Sequence, residues 1–361
     1  MTEKDFDTLP EQDIEIKGKP RPASEYLEEY YQTLGNGEAK LLGIETNFNR
    51  LNKATLGLDG LLVLGGLAGQ GKTSFALQLA CGVCDLGTPA IFYSLEMPRR
   101  AIFTKILNRV AKVRYSDILL KGRKYLTGEK IEEKLLSDIE ASGLETGKDI
   151  LKLIGEIFYI RSRERGEAEI NFETVEQEID FIRAEHKDKK LLVVIDHLHV
   201  FDVPQYKDQI DKESKLITGF KGISERTGAT ILLVSQKNKA GFLHSGLQTI
   251  KGSVDIVYLA DVVMFLESEK KKEDKNPIIE GFRTNEPKTI YLVIDKNRYN
   301  APTKIRMEFN GEYSEFTEDL GIEWKEEGAI QKKARESKGL FGGTTKEVDG
   351  EYIKPEDNPL T

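Results

Sequence analysis

Short apolar runs bounded by polar or glycine-rich positions recur along the middle of the chain. Such runs are typical of strands that are buried on both faces of a sheet. They alternate with longer segments in which apolar residues recur every three or four positions, the pattern of amphipathic helices. We therefore predict an α/β fold with a mostly parallel central sheet flanked by helices. The predicted strands are 61–64, 90–95, 157–160, 191–195, 229–234, 261–266, 289–294, 305–309 and 313–316.

Helices and one hairpin complete this pattern. Helical spacing is clear over 101–113 and 174–186, and again after the glycine-rich loop that follows the first strand. The last two predicted strands flank Asn310-Gly311, a dipeptide typical of two-residue hairpin turns. We therefore expect a β-hairpin at the C-terminal end of the folded region.

Polar segments lie at both ends of the chain. Residues 1–40 are predicted to form a polar tail that contains one short helix, 24–34, with a tyrosine-rich stripe. The stripe would pack either on its own domain or on a neighbouring subunit, and the sequence does not favour one over the other. Residues 319–361 are predicted to be a flexible charged tail, which leaves 41–318 as the folded domain.

The segment from 66 to 74 combines a glycine-rich turn with the start of a helix. It fits the P-loop spacing G-x-x-x-x-G-K-[ST] and follows a predicted strand. In such a loop the backbone N–H groups surround a phosphate, the lysine reaches the β- and γ-phosphates, and the hydroxyl holds Mg²⁺. The cofactors predicted are thus a nucleoside triphosphate, ATP, and Mg²⁺. The residues predicted to bind them are Gly66, Gly69, Gly71, Lys72, Thr73 and Ser74.

Three other predicted strands end in polar side chains. Asp196 follows the clearest apolar run, which is the pattern of a carboxylate that supports Mg²⁺. Glu96 follows another strand and could orient the attacking water, although this position alone favours the alternative that it opens the next helix. Gln236 follows a third strand, where it could sense the γ-phosphate. Because parallel strands end at one edge of a sheet, these side chains are expected near the P-loop.

Two further segments carry cationic side chains that could bind phosphate groups. Lys296 and Arg298 alternate, so they should point the same way and address one anion together. The segment 237–250, with Lys251 just beyond it, is either an ordinary surface loop or a loop that grips a phosphodiester chain.

Composition limits the remaining possibilities. The 361 residues carry a net charge of −8, which argues against a broadly basic surface for nucleic acid but leaves room for local phosphate contacts. No apolar run approaches a membrane span and no signal peptide is visible, so a cytoplasmic location is predicted. Cys81 and Cys84 are expected to be buried thiols, and His197 and His199 to be hydrogen-bonded rather than metal ligands.

Taken in order, these segments resemble the RecA-like motor domain of the DnaB-type replicative helicases. The resemblance covers about residues 41 to 318. The matching blocks are GLAGQGKTSFALQLA, FYSLEMP, LLVVIDHLHV, ATILLVSQKN, KGSVDIVYLADVVMFLE and VIDKNRYNAPTKIRMEFNGEYSEF.

The resemblance implies roles for these residues. Lys72 and Thr73 would bind phosphate and Mg²⁺, Asp196 would be the second metal ligand, Glu96 would polarise the attacking water, and Gln236 would sense the γ-phosphate. Lys296 and Arg298 would serve the nucleotide of an adjoining subunit, Arg298 as an arginine finger. The residues matching the family's DNA-backbone loop are Lys251, Gly252, Ser253 and Val254.

The chain departs from the family pattern at several positions. Lys105 stands where the family has an arginine, and we predict that it binds the nucleotide in its place; Lys251-Gly252 replaces an Arg-Glu pair. His197 and His199 replace the commoner Tyr and Gln. About 40 residues precede the motor, fewer than the helical N-terminal domain of such helicases contains.

Three functions are consistent with these observations. The first, implied by the resemblance, is a ring-forming, hexameric, ATP-dependent helicase that moves on single-stranded DNA in replication, with a loader or another replication partner. The second is a RecA-superfamily ATPase that uses ATP as an assembly switch in recombination, regulation or defence. The third is a P-loop small-molecule kinase, which the late K-x-R and the FNG hairpin disfavour.

Overall fold

A computed structural model describes residues 22–35, 41–128, 135–201, 209–235, 258–269 and 287–318. Predictions for residues outside these ranges are not tested by it. The helices are α1 (Ser24–Gly35), α2 (Asn49–Thr55), α3 (Lys72–Asp85), α4 (Arg99–Ala111), α5 (Tyr115–Leu120), α6 (Arg123–Thr127), α7 (Asp138–Ile154), α8 (Phe172–Glu185) and α9 (Gln209–Thr227). The strands are β1 (Leu61–Gly66), β2 (Ala90–Ser94), β3 (Phe158–Ser162), β4 (Leu192–Asp196), β5 (Thr230–Val234), β6 (Val262–Ser268), β7 (Lys288–Asn297), β8 (Thr303–Asn310) and β9 (Glu315–Glu318).

Within the described residues, these nine strands form one sheet in the order β3-β2-β4-β5-β1-β6-β7-β8-β9. The six strands from β3 to β6 run parallel, and β7, β8 and β9 continue the sheet in antiparallel fashion. The predicted mostly parallel α/β sheet is therefore confirmed. The C-terminal ends of β1, β2, β4 and β5 lie at the same edge of the sheet, where ligands bind in open α/β folds.

The central strand β1 is buried on both faces. Leu62 and Leu64 belong to a hydrophobic cluster that includes residues of α3, and Leu61 and Val63 belong to a second cluster that includes residues of α8 and α9. Alternate residues of a strand point to opposite faces, so an uninterrupted apolar run requires cover on both. This explains why the central strands could be predicted as continuous apolar runs.

Two helices begin two residues before the predicted positions. The helix predicted at 101–113 spans Arg99–Ala111, and Lys112 ends it in the left-handed region with a φ of 54°. The helix predicted at 174–186 spans Phe172–Glu185. Asn171 caps it, because its side chain accepts a hydrogen bond from Thr174 N at 3.0 Å.

The prediction of a two-residue turn at Asn310-Gly311 was wrong. Asn310 pairs with Glu315, so residues 311–314 connect β8 to β9. The Asn310 side chain accepts hydrogen bonds from Glu312 N at 3.0 Å and Tyr313 N at 3.3 Å, and Ser314 takes a φ of 55°. An asparagine that bonds the backbone two residues ahead stabilises a longer turn of this kind.

Candidate nucleotide-binding site

The loop between β1 and α3 has the backbone geometry of a phosphate site. Gly69 and Gly71 have φ values of 80° and 82°, which residues with side chains rarely adopt. Gly71 is the N-cap of α3, and no side chain caps the helix. The first N–H groups of a helix have no partner within it, and its dipole favours an anion there. The predicted P-loop thus presents backbone donors at the start of α3.

Two of the predicted glycines also lie close to other groups. A Cβ on Gly66 would lie 3.1 Å from Gln70 Oε1, the atom that accepts a hydrogen bond from Leu67 N at 2.6 Å. A Cβ on Gly71 would come within 2.9 Å of the rings of Phe309 and Phe316. The loop therefore rests against the β8–β9 hairpin, and Gly71 is required both by its φ and by this contact.

Lys72 bridges its own loop. Its Nζ donates hydrogen bonds to the carbonyl oxygens of Gly66 and Leu67, each at 2.9 Å. Burial lowers the pKa of Lys72 to about 8, although the nearby carboxylates of Asp196 and Glu96 act in the opposite direction. The ammonium group thus lies over the loop at the position where a phosphate would contact it.

Thr73 and Asp196 supply two oxygen atoms beside the loop. Asp196 ends β4, is buried, and accepts a hydrogen bond from the Thr73 side chain. Burial raises the pKa of Asp196 to about 6, against the effects of Thr73 and Lys72. Mg²⁺ is commonly held by one or two protein oxygens together with substrate phosphates. This pair of oxygens fits such a role.

Ser74 and Lys105 lie on the next turn of the site. Lys105 Nζ donates to Ser74 Oγ at 3.2 Å, and burial lowers the pKa of Lys105. The lysine that replaces the family's arginine is therefore directed toward the P-loop helix from α4.

Glu96 lies beyond the end of β2 at the same edge of the sheet. The alternative that Glu96 opens the next helix is wrong, because α4 begins at Arg99 with Pro98 as its N-cap. Leu95 N donates to Asp196 O at 2.7 Å, which joins the ends of β2 and β4. The Glu96 side chain is 59% exposed, and its Oε1 lies 3.4 Å from His197 Nε2. It is thus accessible to water beside the P-loop.

The two histidines contact carboxylates and a hydroxyl. His199 Nδ1 lies 3.2 Å from Glu213 Oε1, and its Nε2 lies 3.4 Å from Ser235 Oγ. Among the described residues, no three His, Cys, Asp or Glu side chains are grouped so as to hold a metal ion. These contacts support the prediction of a hydrogen-bonded side chain for His199, whereas Nδ1 of His197 is buried and has no hydrogen-bond partner among the described residues. The contact between His197 and Glu96 was not predicted, because the pairing of two strand ends is not visible in sequence.

Lys296 and Arg298 lie at the opposite ends of the strands from the P-loop, which we call the opposite edge of the sheet. β7 is antiparallel, and Asn297 pairs with Val262, whose neighbour on β1 is Leu62 near the start of that strand. With six residues in β1, the two edges are roughly 17 Å apart. Both cations do turn to the same segment, since Lys296 Nζ donates to Ala260 O at 2.5 Å and Arg298 Nη1 lies 2.7 Å from Asp261 Oδ1.

The other predicted site residues fall in segments that the structure does not describe. Gln236 and the predicted DNA-contact residues Lys251, Gly252, Ser253 and Val254 lie outside the described residues. Their roles stay predictions.

Cys81 and Cys84 are buried free thiols on α3, as predicted. Burial raises the pKa of Cys81 to about 11 and raises that of Cys84 further. Thiols with raised pKa values are poor nucleophiles and poor metal ligands at neutral pH. As for membrane spans, none of the helices in the described part of the chain has the length and apolar character needed for one.

Known proteins share sequence similarity with this chain. The DnaB-like helicase C terminal domain family matches residues 43–318. The replicative DNA helicase DnaB of Haemophilus influenzae is 22% identical over 294 residues, which cover 76% of this chain and 55% of that protein. The DnaB of Rickettsia felis is 25% identical over 268 residues, covering 69% of this chain and 50% of that protein. The chain thus spans about half the length of these relatives.

Solved structures share the fold. One solved ATPase domain superposes with a TM-score of 0.69 at 16% identity, covering 83% of this chain and all of that domain. A DnaB-like replicative helicase, described with its interactions with primase, gives a TM-score of 0.67 at 18% identity, covering 82% of this chain and 68% of that one. Since the family pattern matches most of the sequence and the fold agrees, this chain belongs to the DnaB-like helicase C-terminal domain family.

Proposed function

We propose that this chain is a ring-forming, ATP-dependent helicase or translocase that moves on single-stranded DNA in replication. One observation carries the proposal: Lys72 and Asp196 lie at one edge of the sheet, while Arg298 lies at the other edge. No single copy can bring Arg298 to its own P-loop. A head-to-tail ring would bring the Arg298 edge of one copy to the P-loop edge of the next.

The residues of the site divide the work of hydrolysis. The N–H groups of the P-loop and Lys72 would bind the phosphates, and Thr73 and Asp196 would hold Mg²⁺, which would supply positive charge there. Glu96 orients the attacking water, with His197 Nε2 at 3.4 Å from one of its oxygens. Arg298 of the adjoining copy contacts the γ-phosphate as charge develops there.

Contacts to DNA are assigned to the segment Lys251 to Val254. Contacts of this type go to the phosphate backbone and do not read bases. A homo-hexamer is the assembly proposed, with the polar segments 1–40 and 319–361 outside the motor domain 41–318. A loader or another replication partner is also proposed, because a solved relative is described with primase.

Mixing two inactive variants tests completion of the site between copies. Arg298→Ala and Lys72→Ala should each lower the ATPase kcat of a pure ring by at least about 100-fold. In a 1:1 mixture, about a quarter of the interfaces join an intact P-loop to an intact Arg298. The ATPase activity should therefore return to about a quarter of the wild-type value. The measurement is steady-state ATP hydrolysis with and without single-stranded DNA, which should stimulate it.

Arg226→Ala provides the matched control. Arg226 is a surface arginine at the end of α9, and it forms an ion pair with Glu176. It lies near the start of β5, which is at the same edge of the sheet as Arg298. This variant should hydrolyse ATP like the wild type. Full activity of pure Arg298→Ala would contradict the proposal. ATP hydrolysis without displacement of a forked duplex would instead favour an ATP-switched assembly of the RecA superfamily.

A further inference from the structure

Asp261 is a buried carboxylate at the edge of the sheet that carries Arg298. It directly precedes β6, and its side chain is only 2% exposed. Oδ2 accepts hydrogen bonds from Leu61 N and from Lys221 Nζ, both at 2.8 Å. Oδ1 lies 2.7 Å from Arg298 Nη1. The carboxylate thus joins the start of β1, helix α9 and the end of β7.

The backbone around Asp261 holds the carboxylate in place. Asp261 N donates to Leu61 O at 2.7 Å, and Arg298 N donates to Asp261 O at 2.9 Å. Gly60 has a φ of 70°, and a Cβ there would lie 2.2 Å from Asp261 Oδ2. A side chain at position 60 is therefore incompatible with this arrangement, and the carboxylate has little room to move.

The two oxygens of Asp261 have different partners. Lys221 and Leu61 N bind Oδ2, which is sufficient for an ordinary buried ion pair. Oδ1 is also buried, and within the described residues it accepts no well-aligned hydrogen bond. Its close contact with Arg298 Nη1 is an ion pair that does not have the geometry of a hydrogen bond. Lys221 alone is sufficient to balance the charge of the buried carboxylate. Arg298 is therefore a second cation at Asp261.

Arg298 itself is only partly held. Its side chain is 52% exposed, although the carboxylate that anchors it is buried. A guanidinium group has five N–H donors in a rigid plane, so contact through Nη1 leaves the far side of the plane at the surface. An arginine fixed at one nitrogen loses less conformational entropy when it binds a phosphate than an arginine that moves freely.

We infer that Asp261 is a positioning residue for Arg298: it holds the guanidinium by one edge, so that the other edge faces the γ-phosphate bound by the adjoining copy. The inference rests on the proposed function and extends it to a residue that does not touch the nucleotide. Asp261 acts on the neighbour's active site and leaves its own P-loop unchanged.

The test uses variants that avoid leaving a buried charge without a partner. Asp261→Asn alone could destabilise the fold, whereas Lys221→Met/Asp261→Asn removes both members of the pair. Lys221→Met alone keeps the contact between Asp261 and Arg298. Relative to Lys221→Met, the double variant should lose about 100-fold in ATPase kcat, because the finger is misplaced. The affinity of its own P-loop for ATP should be unchanged.

Mixing separates positioning from a general structural role. The double variant has an intact P-loop, so Lys72→Ala subunits, which keep Asp261 and Arg298, should restore its activity as they restore that of Arg298→Ala. Asp59→Asn is the matched control, because Asp59 accepts a hydrogen bond from the neighbouring Tyr299 at 2.9 Å. It should retain wild-type hydrolysis.

The outcomes also distinguish this inference from the proposed function. If Arg298→Ala is inactive and rescued while the double variant hydrolyses ATP like Lys221→Met, the inference on Asp261 is wrong and the proposed function stands. Loss of activity in the double variant without rescue by Lys72→Ala would likewise overturn the inference. If Arg298→Ala is fully active, the proposed function is contradicted, because the site is then not completed by Arg298 of an adjoining copy.

Discussion

At the residue scale, Asp196 shows that the nucleotide site is not arranged for stability of the chain alone. Its carboxyl group is buried at the end of β4, and the loss of hydration raises its pKa from 3.8 to about 6. The folded state therefore favours the neutral form more than the unfolded state does. The contribution of Asp196 to the free energy of unfolding is most favourable below about pH 4 and is lost as the pH rises through about 6.

Asp196→Asn should therefore stabilise the protein in the absence of nucleotide and Mg²⁺. At pH 7.5 the free energy of unfolding should rise by about 2–3 kcal/mol, since two pKa units correspond to that amount. Near pH 4 the gain should fall below about 1 kcal/mol, because the wild-type carboxyl group is then neutral in the folded state and only partly ionised in the unfolded state. Denaturant unfolding at the two pH values measures both quantities.

The same variant should lose the stabilisation that Mg²⁺ and ATP give to the wild type. Asp149→Asn, a change at an exposed carboxylate on α7, controls for the loss of one negative charge and should leave unfolding within about 0.5 kcal/mol at both pH values. A lower unfolding midpoint for Asp196→Asn at pH 7.5 would show that its charge stabilises the fold.

Residues of the site differ in how far sequence reveals them. Lys72 and Thr73 could be predicted, because the P-loop is contiguous and its spacing is dictated by one phosphate. Asp261 was predicted only as the start of a strand. Its partners at positions 61, 221 and 298 come from three distant segments, and only the fold brings them to one carboxylate.

At the scale of elements, β9 fastens the hairpin to the helix that starts at the P-loop. Gln78 of α3 donates to Phe316 O at 2.7 Å and accepts from Phe316 N at 2.8 Å. The Phe316 ring packs edge-on against Phe75 and stacks on Phe309. Two residues further along β9, the Glu318 carboxylate accepts a hydrogen bond from Arg50 N at the start of α2. A short edge strand is thus held by side chains as well as by pairing with β8.

Gln78→Leu should destabilise the protein by about 2–4 kcal/mol. The change removes both hydrogen bonds and leaves the N–H and C=O of Phe316 buried without partners. Thermal or denaturant unfolding measures the loss. Gln177→Leu is the control, because Gln177 is an exposed glutamine of α8 and should change stability by less than about 0.5 kcal/mol. Equal stability of the two variants would show that the Gln78 contacts contribute nothing.

The hairpin also shows where local sequence patterns were insufficient. The strand predicted at 305–309 lies within β8, but the strand predicted at 313–316 begins two residues later, as β9, because the Asn-Gly dipeptide suggested a turn that the chain does not use. The connection is longer because Asn310 bonds two backbone N–H groups of the turn, and because Phe316 has to reach Gln78 on α3. The second requirement depends on a residue more than two hundred positions away.

At the scale of the whole molecule, the parallel strands could be predicted but their order could not. Each is a continuous apolar run because both faces of the sheet are covered. The placement of β1 between β5 and β6 depends on packing between distant segments. The antiparallel pairing of β7 with β6 then puts Arg298 at the strand ends away from the P-loop, which is the basis for proposing that the site is shared between copies.

Helix α1 carries the tyrosine-rich stripe, which is a candidate second surface for assembly. Its predicted stripe consists of Tyr26, Tyr30, Tyr31 and Leu34; the three tyrosine side chains are exposed, as is Leu27 beside them. Because the described structure leaves these side chains exposed, we favour docking on a neighbouring copy over packing on the same domain. Tyr30→Glu/Tyr31→Glu should then raise the protein concentration needed for ring formation by at least about tenfold, since charge would be buried at the interface. Light scattering with a non-hydrolysable ATP analogue measures assembly.

The control is Leu119→Glu/Leu120→Glu, which introduces the same charges at an apolar pair on α5 that is at least as exposed. It should assemble like the wild type, because the prediction concerns the stripe and not exposed apolar residues in general. If the tyrosine variant assembles normally but unfolds at a lower denaturant concentration, the stripe packs on its own domain. If both double variants lose assembly, the effect is due to added charge. Selective loss of assembly in the tyrosine variant is expected only if α1 of one copy binds the next.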